Sequence, residues 1–277
     1  MPAPDAASVN ALERLRWNDD DWAASWPRRE QLTSMATESL FEHLSLAPRE
    51  RVLDVGSGAG AASLRAAGLV GPEGRVVGAD ISEPLVRFAT EAATAASVGN
   101  ATFLVADVQQ DAVDGAPYDV VMSQFGVMFF EDPVAAFANI RAHVVAGGRL
   151  AFACWQSPSK NPWFVGHALR ALLTPPAPPA PGKHVTGPFA FSDGAETEAI
   201  LGAAGWADVC TVLIERTVTL DRDVIADASQ VRMMGLAPEL LDEASAATDA
   251  YFAPLTGDDG RLVVQVAYRI VTAATPA

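Results

Sequence analysis

A glycine-rich segment that follows an acid is the first stretch of this sequence whose residue types could do chemistry. It runs from Asp54 through Gly56, Ser57 and Gly58 to Gly60. Glycine has no Cβ atom, so the backbone of such a loop can approach a ligand closely and adopt positive φ angles. A helix that begins behind the loop points free backbone N–H groups at an anionic group of that ligand. The segment therefore predicts a binding loop for a nucleotide-like molecule.

Two further acids, Asp80 and Asp107, stand where the next two apolar runs end. Asp80 comes 24 residues after Gly56, a distance at which a carboxylate can accept hydrogen bonds from both ribose hydroxyls. Asp107 is placed to face an exocyclic amine, and we expect Ile81 and Val108 to line the same pocket beside the two acids. Together these residues predict a pocket for an adenosine that carries a further group.

The spacing of the glycines favours one cofactor over another. The third glycine, Gly60, comes one residue too early for the G-x-G-x-x-G dinucleotide pattern, because position 61 is Ala61. Asp54, just before the loop, suits a cofactor with an ammonium group better than one with a pyrophosphate. The methionine half of S-adenosylmethionine carries such a group, so we predict this cofactor. An NAD(P)-dependent oxidoreductase on the same architecture stays open as an alternative.

Short apolar strands that alternate with helices must position these residues. The strands are predicted over 51–55, 75–80, 102–107, 118–123 and 149–155, and the helices between them over 59–70, 83–97 and 132–145. This alternation is typical of right-handed βαβ units and a mainly parallel sheet. Open parallel sheets bind ligands at the carboxyl ends of their strands, which is where the glycines and acids fall.

Outside this core the sequence predicts one compact domain over 1–277 with added elements. Residues 1–48 are predicted to form a helical N-terminal cap, 49–155 the cofactor-binding core, 156–190 a cap or lid insertion, and 191–277 C-terminal helices and strands. Helices are expected over 161–173, within 191–206 and over 225–251, a stiff proline-rich segment over 174–182, and two long strands over 209–220 and 261–271.

The core resembles a known family at several segments. Residues 52–60 resemble motif I of class I S-adenosylmethionine-dependent methyltransferases, although Ser57 stands where cysteine is frequent. Residues 78–82, 105–108, 118–121, 125–133 and 147–150 resemble the segments that follow it in that family. The nearest group is the ubiquinone/menaquinone-biosynthesis-like (methyltransferase type 11) enzymes that act on small molecules. The resemblance implies a Rossmann-like α/β fold with a seven-stranded, mostly parallel sheet, whose last strand is antiparallel and inserted beside the 209–220 strand.

We expect the reacting methyl group to lie near the end of the fourth strand. Ser123, at the end of that strand, is expected at the cofactor, and Gln124 and Phe125 follow it. Phe125 could wall a sulfonium by a cation–π contact. His167, in the inserted segment, is the histidine chosen as a candidate general base. By analogy with the family, Trp22 and Gln31 are expected to close over the methionine end of the cofactor.

Composition excludes several classes of partner. The net charge of −15 and the lack of a Lys/Arg cluster argue against nucleic acid and against anionic membrane surfaces. No His, Cys, Asp or Glu spacing indicates a metal, and neither a signal sequence nor a transmembrane run is visible. We therefore expect a cytoplasmic protein, and a homodimer stays open. The predicted function is methyl transfer to an O, N or C atom of a small organic acceptor, of secondary-metabolite or quinone type. A methyltransferase-fold protein that keeps the cofactor structurally for a cyclisation is a further alternative.

Overall fold

Three helices precede the sheet in the computed structural model, which describes residues 10–173, 184–227 and 234–276. They are α1 (Ala11–Trp17), α2 (Asp20–Thr33) and α3 (Thr37–Leu44). The Asp19 side chain caps α2 by accepting a hydrogen bond from the Trp22 N–H at 2.7 Å, which satisfies a donor that the helix leaves free. Leu40 and Leu44 on α3 are completely buried against the sheet. The described part of the N-terminal segment is therefore mainly helical up to Leu44.

A seven-stranded sheet with helices on both faces forms the centre of the molecule. Its strands, in chain order, are β1 (Arg51–Val55), β2 (Arg75–Asp80), β3 (Ala101–Val105), β4 (Tyr118–Gln124), β5 (Val144–Trp155), β6 (Ala207–Leu220) and β7 (Leu262–Ala274). The later helices are α4 (Ala61–Val70), α5 (Glu83–Ala95), α6 (Pro133–Ala142), α7 (Gly194–Ala203) and α8 (Leu241–Phe252). The spatial order is β3-β2-β1-β4-β5-β7-β6.

The direction of the strands matches the predicted topology. β1 pairs in parallel with β2 and with β4, and β4 pairs in parallel with β5. β7 lies between β5 and β6 and is antiparallel to both. The predicted Rossmann-like α/β sheet, with its last strand inserted beside the strand that begins at Ala207, is confirmed.

The central strand β1 positions the glycine loop. Successive βαβ units proceed from β1 to β2 and β3 on one side, and the chain then crosses to β4 and β5 on the other. The carboxyl end of β1 is therefore the point at which strand order reverses, and such a point opens a crevice above the sheet. Val52 and Leu53 are completely buried, so β1 is covered on both faces, as is usual for parallel strands.

The inserted segment departs from the predicted helix over 161–173. The structure has turns there and one short 3₁₀ helix at Val165–His167. The Asn161 side chain explains the difference, because its amide donates to the Gln156, Ser157 and Ala267 carbonyl oxygens and its oxygen accepts from the Ala267 N–H. Such side-chain bonds to the backbone compete with a helical hydrogen-bond ladder.

Other predicted boundaries changed or lie elsewhere. The proline-rich segment 174–182 falls outside the described residues, and so does 228–233 within the helix expected over 225–251, of which the structure shows α8. β5 begins at Val144, ahead of the Gly147–Gly148 pair that was expected to precede it. None of the described helices is both long and apolar enough to cross a bilayer.

Candidate functional site

A cavity of about 620 Å³ lies at the carboxyl ends of β1, β2 and β4. The glycine loop and residues after β2 and β3 form one part of its wall, aromatic side chains form another, and α1 and α2 close over it. Its lining from the sheet includes Val55, Gly56, Gly58, Ala79, Asp80, Ile81, Ala106, Asp107, Val108, Gln124, Phe125 and Gly126. Its volume is within the range of about 300–1,000 Å³ typical of small-molecule sites.

The three glycines of the loop have two different functions. Gly56 and Gly58 line the cavity with φ angles of +69° and +54°. A Cβ on Gly56 would lie 2.6 Å from the Gly126 Cα, so this position requires a glycine for packing as well as for conformation. Gly60 is not among the described lining residues; a Cβ there would lie 2.9 Å from both the Ala89 Cβ and the Phe103 ring. Gly60 therefore lets α4 and its neighbours pack closely behind the loop.

Asp54 is a buried acid below the glycine loop. The Ser63 hydroxyl donates to its Oδ2 at 2.6 Å, and its Oδ1 has no hydrogen-bond partner among the described residues. Burial raises the pKa of Asp54 to about 7; the charge of Asp80 adds to this and the bond from Ser63 opposes it. The hydroxyl of Ser57 is likewise buried without a described partner. Neither Asp54 nor Ser57 is among the described lining residues of the cavity, so their predicted contact with a cofactor stays a prediction.

Asp80 reaches the cavity from the end of β2. Its Oδ2 accepts from the Gly58 N–H at 2.8 Å and its Oδ1 from the Ser82 N–H at 2.9 Å. Burial raises the pKa of Asp80, and these backbone hydrogen bonds oppose that change. The carboxylate thus fixes the glycine loop and, with Ile81 beside it, faces the cavity.

Asp107 lies in the cavity wall and is already engaged by the N-terminal helix. The Asn10 amide donates to both of its carboxylate oxygens, at 2.8 and 3.0 Å, and Arg14 contacts it at 3.3 Å. Asn10 also accepts from the Glu131 N–H through its side-chain oxygen. No local pattern in the sequence predicts these contacts, because the partners lie 93 residues or more apart. Val108, the next residue, lines the cavity as well.

Helices α1 and α2 place tryptophans over the cavity. Trp17, Trp22 and Trp26 all line it, and the Arg29 guanidinium lies 3.9 Å from the centre of the Trp22 ring. Arg29 also lines the cavity, a position that sequence reasoning missed. Gln31, which was expected to close over the cofactor with Trp22, is exposed on the outer face of α2. Its predicted contact is therefore not present in this arrangement.

An aromatic wall begins at Phe125, directly after β4. Its ring stacks on Trp155 with a centroid distance of 4.2 Å and an interplanar angle of 16°. Trp155 in turn lies 4.7 Å from Trp163, and Phe164 continues the wall. Phe125 has a φ of +64°, a conformation that is unusual for a bulky side chain and that clusters at functional sites.

Three other predicted site residues occupy different positions. Gln124 lines the cavity, but its amide donates to the Thr33 carbonyl and its oxygen accepts from the Thr37 hydroxyl. Ser123 is completely buried behind the wall. His167 is not among the described lining residues; its Nε2 lies 3.0 Å from the Pro158 carbonyl oxygen. The position of His167 gives no support to a general base there.

Charged residues elsewhere in the lining are already paired. Glu13, which the sequence did not single out, accepts hydrogen bonds from Arg16, from the Trp17 indole N–H and from the Thr186 hydroxyl of the inserted segment. This joins α1 to the segment on the opposite side of the cavity. Within the described parts of the chain, no group of three or more His, Cys, Asp or Glu side chains is arranged to hold a metal ion.

A family model and two named relatives both indicate similarity to methyltransferases. The family described as methyltransferase domain matches residues 52–148. Aklanonic acid methyltransferase DauC of Streptomyces is 37% identical over 103 residues, which are 37% of this chain and 47% of that protein. The ubiquinone/menaquinone biosynthesis C-methyltransferase UbiE of Teredinibacter turnerae is 30% identical over 115 residues, 41% of this chain and 46% of that protein. The chain thus matches less than half the length of these relatives.

Solved structures extend the similarity of fold beyond the matched segment. The YcgJ protein from Bacillus subtilis superposes with a TM-score of 0.60 over 88% of this chain and 99% of that one, at 15% sequence identity. At that identity the match shows the fold alone. The fold, the glycine loop and the match over residues 52–148 agree, so this segment is similar to the methyltransferase domain that the family model and the named relatives share.

Proposed function

We propose that this protein transfers a methyl group from S-adenosylmethionine to an O, N or C atom of a small organic acceptor. The observation that carries the proposal is the continuity of the cavity. One part of its wall has Gly56, Gly58 and Asp80, another has the aromatic side chains, and Phe125 stands between them. A cofactor and an acceptor can therefore lie in contact within one space.

The residues of the loop fit S-adenosylmethionine. Asp80 would accept from the ribose hydroxyls, and Asp107 with Val108 would border the adenine. The unpaired Oδ1 of Asp54 gives the loop region a buried acceptor, and a cationic amine bound above the loop would offset the charge of that acid. When bound, this cofactor supplies a methyl group on a sulfonium, which is a strong electrophile.

The other residues of the cavity would orient the acceptor and exclude water. The rings of Phe125, Trp155 and Trp163 offer a flat apolar surface, and the π face of Phe125 suits a neighbouring cation. The described ionisable residues of the lining are Glu13, Arg16, Arg29, Asp80 and Asp107, all of which have hydrogen-bonding partners within the protein. We therefore assign no general base among them.

The relatives support the type of acceptor. The names of DauC and UbiE describe methyl transfer to aklanonic acid and in quinone biosynthesis. By analogy we propose a secondary-metabolite or quinone-like ring compound, which the aromatic wall would accommodate. A cytoplasmic location, the absence of nucleic-acid partners and a homodimer stay predictions from the sequence.

Calorimetry with S-adenosylhomocysteine tests the cofactor assignment. The wild-type chain should bind it, and Asp80→Ala should weaken binding by about 10- to 100-fold, because hydrogen bonds to a charged group are lost. Asp80→Asn keeps an acceptor oxygen and separates the loss of charge from a change in the loop. Glu83→Ala, at an exposed acid close to Asp80 in sequence, is the control. Binding of NADH instead, or an Asp80→Ala variant with wild-type affinity, would contradict the proposal.

A further inference from the structure

Ser123 links two neighbouring backbone segments of the cavity wall, at Val55 and at Gly126. The side chain is completely buried at the end of β4. Its hydroxyl donates to the Val55 carbonyl oxygen at 2.7 Å and accepts from the Gly126 N–H at 3.1 Å. Val55 immediately precedes the glycine loop, and Gly126 immediately follows Phe125. One hydroxyl therefore joins the loop to the turn that carries the aromatic wall.

The two segments also touch directly. A Cβ on Gly126 would lie 2.5 Å from the Val55 carbonyl oxygen, and one on Gly56 would lie 2.6 Å from the Gly126 Cα. Because neither glycine has room for a side chain, the backbones are already at closest approach. A displacement of the glycine loop must therefore displace the turn at Gly126.

The turn in question holds Phe125 in its strained conformation. A phenylalanine rarely adopts a φ of +64°, so its surroundings must hold it there. The hydrogen bond between Gly126 and Ser123 acts on one side of the residue, and a bond from the Phe125 N–H to the Ala153 carbonyl acts on the other. The stacking of Phe125 on Trp155 depends on this backbone geometry.

We propose that Ser123 is a positioning residue that locks Phe125 in its left-handed conformation and so couples the glycine loop to the aromatic wall. Cofactor in the loop then improves the fit of the acceptor, although Ser123 touches neither ligand. This inference rests on the proposed function, since it assumes that the loop binds the cofactor and the wall binds the acceptor.

The coupling can be measured without turnover. Calorimetry with 1-naphthol as a flat aromatic probe should show binding at least about 5-fold tighter in the presence of S-adenosylhomocysteine. In Ser123→Ala the ratio should fall below about 2-fold, while S-adenosylhomocysteine alone binds nearly as well as to the wild type. Thr248→Val is the matched control, because the Thr248 hydroxyl is also buried but donates to the Ala244 carbonyl within α8. It should keep the full ratio.

A second measurement follows the environment of Trp155 in the aromatic wall. In protein labelled with 5-fluorotryptophan, the ¹⁹F resonance of Trp155, assigned with Trp155→Phe, should shift when S-adenosylhomocysteine binds the wild type and not when it binds Ser123→Ala. Ser123→Cys, which keeps the side-chain volume with weaker hydrogen bonding, serves if the alanine variant does not fold, and should give a reduced shift.

The outcomes separate the two proposals. If S-adenosylhomocysteine does not bind the wild type, the proposed function itself is wrong. If it binds but the Trp155 resonance does not respond, or if Ser123→Ala retains the wild-type coupling, the function stands and the role of Ser123 is refuted. Equal weakening of both ligands in Ser123→Ala with an unchanged ratio would indicate a purely structural serine.

Discussion

At the scale of the residue, Asp54 combines burial with a charge that the fold does not fully compensate. Its pKa in the folded protein is about 7, against an ordinary value of 3.8. Between these values the unfolded chain releases the proton and the folded chain retains it. Stability due to this group therefore falls as pH rises from about 4 to about 7, and stays at the lower level above that. This loss of stability at neutral pH is consistent with an acid whose function is ligand binding.

Asp54→Asn should accordingly raise stability at high pH. We expect a higher Tm than the wild type at pH 8 and a smaller difference at pH 5, because at pH 5 the wild-type carboxyl is largely protonated in the folded state. Thermal unfolding at the two pH values measures this, with Asp242→Asn, at an exposed acid, as the control that should show no such trend. A variant that is destabilised equally at both values would mean that the bond from Ser63 outweighs the burial of charge.

The other site residues differ in whether the sequence could predict their positions. The glycines and Asp80 were identifiable because their positions follow from short local spacings. The left-handed φ of Phe125 was not, since residue type argues against it, and the contact of Asn10 with Asp107 joins segments with no shared local pattern. The exposed position of Gln31 shows that analogy alone did not establish which face of α2 turns inward.

At the scale of the element, Gly60 lies where the glycine loop joins α4, and it serves the packing of α4 rather than the binding of a ligand. Gly60→Ala should destabilise the protein by about 1–3 kcal/mol, because the new Cβ would meet Ala89 and Phe103 at 2.9 Å and the residue has a φ of +90°. Gly68→Ala, within the same helix and with nothing within 4 Å of the new Cβ, should stabilise it by about 0.5–1 kcal/mol. Urea unfolding of the two variants provides the comparison, and an opposite order would contradict the packing role of Gly60.

The elements also differ in how far the sequence could predict them. Apolar runs such as Val52–Leu53, bounded by glycines and acids, predicted the strands because burial on both faces leaves little choice of residue type. The expected helix over 161–173 was wrong because one side chain, Asn161, binds the backbone of distant β7 through Ala267. Local periodicity does not contain a tertiary contact of that kind.

At the scale of the whole molecule, the caps and the sheet share one hydrophobic core. Leu40 and Leu44 of α3, Val165 and Leu169 of the inserted segment, and the strands belong to the same continuous cluster of buried side chains. Ser39 on α3 also contacts the hydroxyl of Tyr268 on β7 at 3.2 Å. If one of these segments unfolds, the side chains that pack against it in the shared core become exposed. This agrees with the predicted single domain.

We therefore expect the chain to unfold in one cooperative transition. Three of the tryptophans, Trp17, Trp22 and Trp26, report on the N-terminal cap, whereas far-UV circular dichroism reports on all helices and strands. Urea curves from tryptophan fluorescence and from circular dichroism should coincide, because unfolding of either the N-terminal cap or the inserted segment alone would expose the hydrophobic core. Leu40→Ala should move both curves together by an amount equivalent to about 2–5 kcal/mol, since Leu40 is completely buried between α3 and the sheet. A fluorescence transition at lower urea, shifted alone by Leu40→Ala, would instead show that the N-terminal cap is a separate folding unit. The cavity between cap and sheet could then open without unfolding of the sheet.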